Sequence, residues 1–149
     1  MKNEYILPEV YVQLAHGACG IRSDEPINSD KKAVDAIERH FGRMDREYVI
    51  AIHLDVKCKP ISYNIVSIGE IGFTVCSAGT VYKAALLSNA HRIIVVHNHP
   101  SGDASPSNVD CELTEKLRQA GILLNVPLLD HIIVTPNGER YSFHKAGYC

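Results

Sequence analysis

Apolar residues recur along the chain with two periods, and the points where the period changes divide it into elements. After Ser29, a plausible N-cap, Ala33, Ile37 and Phe41 fall at four-residue intervals and Gly42 supplies a stop, which predicts a helix over Asp30 to Phe41. Two runs rich in β-branched residues follow, Glu47 to Val56 and Ile61 to Ile68, separated by a turn at Lys57 to Pro60; they read as an antiparallel hairpin. Gly79 to Asn89 repeats the helical period through Val81, Ala85 and Leu86. Arg92 to His97 is a short unbroken apolar run, the pattern of a central strand covered on both faces. Beyond a loop holding Pro100, Gly102 and Pro106, a second helical stretch runs from Ser107 to Ala120, with Gly121 as its expected stop. A hairpin of His131 to Thr135 and Arg140 to His144 around Pro136-Asn137-Gly138 closes the chain. Residues 3 to 28 look extended and turn-rich, with Val10 to Leu14 as a candidate edge strand.

These elements predict an α/β fold, a mixed and mostly antiparallel sheet flanked by helices. No repeat or low-complexity stretch divides the chain, so we expect residues 1–42, a strand plus a helix, to form an N-terminal extension packed on a domain of residues 43–149. A chain of 149 residues is one domain in size and buries roughly 70% of its unfolded surface. With 46% hydrophobic and 21% charged residues it is neither collagen-like, disordered nor coiled-coil. Fifteen Lys and Arg against 17 Asp and Glu leave a net charge of -2, which disfavours a dedicated DNA-binding module. The five cysteines are scattered, unlike a disulfide framework or a cysteine zinc site. The opening Met-Lys-Asn-Glu-Tyr is no secretion signal and no apolar run approaches the ~20 residues of a membrane span, so the expected setting is the reduced cytoplasm, away from membranes.

The chemistry concentrates in His97-Asn98-His99-Pro100-Ser101-Gly102 and the Ser107 and Asp110 that follow. Residues two apart in an extended segment point the same way, so His97 and His99 can aim at one point while Pro100 ends the strand. A folded-back loop can bring Asp110, in the first turn of the next helix, to the same point. Three protein ligands with an open fourth position are the pattern of a catalytic zinc site, although two imidazoles and a carboxylate also suit Fe(II), Mn(II) or Ni(II). Hydrolysis at such a site needs a base that is not a ligand. Glu47, Glu70 and Glu112 are the candidates; Glu112 points away from its neighbour Asp110 on the helix and Glu70 lies in a Gly-flanked turn, so Glu47, which opens a buried strand, is the better choice. Asp130-His131 is either a pair that orients a ligand imidazole or a structural one. His53, His91 and Cys111 read as core or surface residues.

His97-x-His99, seven residues, Ser107, two residues and Asp110 resembles the JAMM motif of the JAB/MPN metalloprotease superfamily. His97-Asn98-His99-Pro100-Ser101-Gly102-Asp103, Pro106-Ser107 and Leu128-Leu129-Asp130-His131-Ile132-Ile133-Val134 resemble its RadC branch, over about Asp45 to Tyr148. The resemblance implies an MPN/JAMM-like fold with cytidine-deaminase-like layering, Zn2+ as cofactor on His97, His99 and Asp110, and hydrolysis of amide or isopeptide bonds. It further implies Glu47, in Arg46-Glu47-Tyr48-Val49-Ile50, as catalytic base and Ser107 as a donor to the oxyanion. The implied partner is a peptide or an isopeptide-linked protein. Two departures stand out. RadC-like chains commonly carry an N-terminal helix-hairpin-helix, which the first 42 residues lack, so direct nucleic-acid binding is not expected despite the family's link to DNA repair. Where such chains begin the preceding helix with a Pro-Arg-Glu type segment, this one reads Cys76-Ser77-Ala78-Gly79-Thr80. Two other readings keep the same residues: a non-catalytic metal-containing scaffold, and a metal-dependent nuclease.

Overall fold

The computed structural model of the chain describes residues 14, 15, 17, 20, 21, 23, 25–42, 44–69 and 76–149. Most of the expected strand Val10 to Leu14, and Glu70, lie outside them. Among the described residues, three helices and five strands follow in the order α1 (Asp30–Phe41), β1 (Tyr48–Leu54), β2 (Pro60–Ile68), α2 (Ala78–Leu87), β3 (Arg92–Asn98), α3 (Asn108–Leu124), β4 (Leu128–Val134) and β5 (Arg140–Ser142). One sheet holds all five strands in the order β2-β1-β3-β4-β5. Only β3 and β4 are parallel; the other three neighbouring pairs are antiparallel. The α/β class, the mostly antiparallel sheet, both hairpins and the central place of β3 agree with the sequence pattern.

The sheet has two covered faces. Ala33, Val34 and Ile37 of α1 pack with Ile50, Ile52, Ile94, Val96 and Ile132 on one side. On the other, Val81, Tyr82 and Ala85 of α2 and Leu113 and Leu117 of α3 pack with Val49, Ala51, Ile93 and Val95. Alternate residues of one strand serve opposite faces, which is why β3 reads as an unbroken apolar run. Ser29 caps α1 through its side chain and Gly42, with φ of 63°, closes it. Asp30 then ties the helix to the end of the chain, accepting from Arg140 Nε at 2.9 Å and Lys145 Nζ at 2.7 Å. Among the described residues no helix is long and apolar enough to cross a membrane.

The largest departure from the sequence reading is the end of α3. Gly121 does not stop the helix, which runs on to Leu124 and is capped by Asn125 in the left-handed region. Gly121 is there for space: a Cβ on it would stand 2.5 Å from Tyr82 Oη and 2.8 Å from the Val126 carbonyl. Its missing side chain lets α2 and the start of β4 close on α3, with Tyr82 Oη donating to the Leu117 carbonyl at 3.1 Å. β4 starts at Leu128, three residues before the expected His131, because Ile93 of β3 pairs there.

Candidate metal centre

The C-terminal end of β3, the start of β1 and the first turn of α3 meet at one end of the sheet. Antiparallel pairing sets Val49 opposite His97, which places Glu47, two residues upstream, at the level of the strand's last residues. The Gly69 amide donates to the Glu47 carbonyl at 2.8 Å and holds that segment to β2. Asp110 comes from α3 through a capping box. Its Oδ2 accepts from the Ser107 amide at 2.7 Å and the Ser107 hydroxyl at 2.6 Å, while its own amide donates back to Ser107 Oγ at 3.2 Å.

Four of the sequence-predicted residues converge around His97. Its Nε2 lies 2.8 Å from Glu47 Oε1, and its Nδ1 lies 3.2 Å from Asp110 Oδ1. His99 Nε2 stands 3.6 Å from Asp110 Oδ2 and 3.9 Å from Glu47 Oε1. The two imidazole rings meet edge to face with centroids 4.6 Å apart. His97 and Asp110 are buried, with side chains 1% and 2% exposed, whereas Glu47 at 24% and His99 at 12% form the accessible side. Ser107 is exposed, and its hydroxyl is engaged with Asp110. Glu112 is exposed on α3, outside this cluster.

The donor chemistry fits a divalent first-row cation. Among the described residues, Glu47, His97 and His99 form a group whose candidate ligand atoms lie within 4.8 Å of one another. His97 Nδ1 is buried and makes no hydrogen bond. His99 Nδ1 lies 2.9 Å from the Asp103 carbonyl. A carbonyl only accepts, so Nδ1 carries the proton and Nε2 turns its lone pair towards Asp110 and Glu47. Burial works against the Asp110 carboxylate, but the adjacent His97 ring and the Ser107 hydrogen bonds outweigh it and hold the group ionised far below the usual carboxylate range. Two imidazoles and ionised carboxylates are the ligand types of zinc and its neighbours.

Behind this cluster the sequence left more unread. His131 makes no hydrogen bond to either imidazole; it stacks under His97 with centroids 6.0 Å apart and on Phe143 at 4.9 Å. Thr114 Oγ1 lies 2.7 Å from both the Asp110 carbonyl and His131 Nδ1. Its single proton goes to the carbonyl, so His131 Nδ1 must donate to Thr114. Burial, with His97 beside it, pushes the His131 pKa down to about 3. Asp130 faces away, accepting from Ser142 Oγ at 2.6 Å and the His144 amide at 2.9 Å. The pair Asp130-His131 is therefore a neutral wall and a turn anchor, and the group that orients a candidate ligand is the Asp103 main-chain carbonyl, which a residue-type search passes over.

Comparison with known proteins accords with this geometry. A family model described as the RadC-like JAB domain matches residues 27–148. A UPF0758 protein of Chlorobium chlorochromatii is 40% identical over 118 residues, covering 77% of this chain and 53% of its own length. One from Thermotoga maritima is 42% identical over 104 residues, covering 70% and 46%. A third, from Methanococcoides burtonii, is 34% identical over 131 residues, covering 86% and 57%. The chain thus spans about half the length of the curated relatives it matches, and the family match takes in α1 as well as the sheet.

Proposed function

The chain belongs to the RadC-like JAB-domain family, and from that premise we propose that it is a zinc-dependent hydrolase of peptide or isopeptide bonds. One observation carries the reading: a partly exposed carboxylate, Glu47, sits 2.8 Å from a buried imidazole that a second imidazole and an ionised carboxylate also flank. In this proposal His97, His99 and Asp110 hold the ion. When bound, zinc at such a centre supplies water acidic enough to ionise near neutral pH and a polarised substrate carbonyl.

The protein's own groups do the rest. Glu47 accepts a proton from the attacking water and returns it to the leaving amine, the task of a general base that then serves as general acid. In this reading an extended polypeptide substrate approaches from the accessible side, which Glu47 and His99 form. Asp110 is kept charged and oriented by Ser107, so the cap of α3 doubles as the support of a ligand. Ser107 serves the oxyanion by exchanging its hydrogen bond to Asp110 for one to the substrate oxygen, a rotation its exposed position leaves open. His131 and Thr114 keep water from the rear of His97.

The test compares wild type with Glu47→Gln and with a His97→Ala, His99→Ala double variant, by plasma mass spectrometry after dialysis and by peptide and isopeptide cleavage. The expected result is near one zinc per chain in wild type and Glu47→Gln, none in the double variant, and turnover lowered by at least about 100-fold in Glu47→Gln. Absence of metal from folded wild-type protein sinks the proposal, as does full activity in Glu47→Gln.

A further inference from the structure

We propose that Asn98, the residue between the two histidines, is a positioning residue for Glu47: its carboxamide grips the main chain on both sides of the glutamate and so fixes where the carboxylate meets His97. On the β2 side the Gly69 amide already holds the Glu47 carbonyl at 2.8 Å; the β3 side is where a grip is added. Asp45 and Arg46 lie in a bend, Glu47 itself belongs to no regular element, and β1 begins only at Tyr48. The ladder between β1 and β3 ends at the pair Val49 and His97, so main-chain pairing with β3 stops short of the glutamate.

The Asn98 side chain continues that ladder. Its Oδ1 accepts from the Tyr48 amide at 2.7 Å, and its Nδ2 donates to the Arg46 carbonyl at 2.8 Å. An amide N–H only donates and a carbonyl only accepts, so both ends of the carboxamide are assigned by their partners. No other side chain of this length supplies one acceptor and one donor in a single plane; Asp loses the donor, and Leu, of nearly the same shape, loses both. Asn98 is 4% exposed. It points to the sheet face opposite His97 and His99, as alternation along a strand requires, and is therefore no ligand. The base and both imidazoles are thus referenced to the same three residues of main chain, His97 to His99, while the first turn of α3 brings Asp110 separately. The clamp is visible without any assumption about the reaction; its kinetic consequence rests on the hydrolase reading above.

The experiment uses the full chain with Asn98→Leu, Asn98→Asp and, as a destabilised control remote from Glu47, Ile37→Ala in the buried face of α1. Amide exchange by NMR is expected to show Tyr48 exchanging at least about tenfold faster in Asn98→Leu than in wild type and Ile37→Ala. The His97 ring nitrogen shift produced by Glu47→Gln is expected in the wild-type background and to shrink in Asn98→Leu. Bound metal stays near the wild-type level. On a peptide that wild type cleaves, kcat falls by about tenfold or more with KM within about threefold, Asn98→Leu the worse of the two, because a displacement of about 1 Å is enough for such a loss. Ile37→Ala keeps its kcat below its melting temperature. Unchanged Tyr48 exchange, or an equal His97 shift in both backgrounds, overturns the clamp whatever the activity. Metal lost in step with kcat also overturns it, since Asn98 then supports the ligands and not the base. A wild type that cleaves nothing refutes the hydrolase reading alone and leaves the exchange and shift measurements to decide the clamp.

Discussion

Two histidines lie buried on the same face of the sheet, His97 near the end of β3 and His53 near the end of β1, each 1% exposed, and they have opposite surroundings. Around His97 the neighbours are two acids, Glu47 and Asp110, and two further imidazoles, His99 and the neutral His131 stacked beneath it. Around His53 they are neutral: Ser62 Oγ at 2.7 Å from Nδ1, Ser88 Oγ at 3.5 Å, and the Asn64 carboxamide. Ser62 also donates to Ser88 at 2.8 Å, linking β2 to the end of α2. Burial pushes the His53 pKa from 6.5 down to about 4, with Asn64 opposing in part. An imidazole under a helix is thus no functional signal in itself. Acid neighbours place His97 in the candidate metal centre, and hydroxyl neighbours make His53 a strut.

The largest expected difference between the two is in metal. A single His97→Ala is expected to empty the centre, while His53→Leu leaves metal content and turnover within about twofold of wild type, because coordination depends on ligand atoms and not on packing at the opposite end of β1. Metal lost from both variants breaks the contrast. Next in size is the response to acid. The unfolded chain takes up a proton on His53 near 6.5 and the folded one only near 4, so stability is at its full value above 6.5 and falls as pH drops through that window. The accumulated loss is about 3 kcal/mol. Urea melts of wild type and His53→Leu between pH 7 and pH 4 are expected to show this slope in wild type and a shallower one in the variant; parallel slopes refute it. Smallest is Ser88→Ala, which removes a hydroxyl from the strut and is expected to cost about 1 kcal/mol in the same melts without altering metal content.

Legibility from sequence followed the same division. That His97, His99 and Asp110 come together was readable because two rules of local geometry, the strand's period of two and the helix's first turn, act over 14 residues of chain. Ser107 was readable as a cap for the same reason. Glu47 lies 50 residues upstream of His97; spacing does not connect them, so it was favoured over Glu70 and Glu112 only as the opening of a buried strand, and the likeness to a family then assigned it as the base. The Asp103 carbonyl carries no residue-type signal. Thr114 and His131 meet across α3 and β4, and Gly121 looked like a helix stop because its true constraint, Tyr82 on another helix, is tertiary. Asn98 stood in plain view between the histidines, yet its partners are main-chain groups half the domain away.

The capping box of α3 carries one more consequence. Ser107 pins one oxygen of Asp110 from two directions, and the Asp103 carbonyl pins the His99 ring. These side chains lose their rotational freedom when the chain folds, not when an ion arrives. Ordering a free side chain on binding costs about 0.5–1.5 kcal/mol. If these side chains hold an ion as proposed, the centre is spared most of that entropy, and the saving goes into affinity.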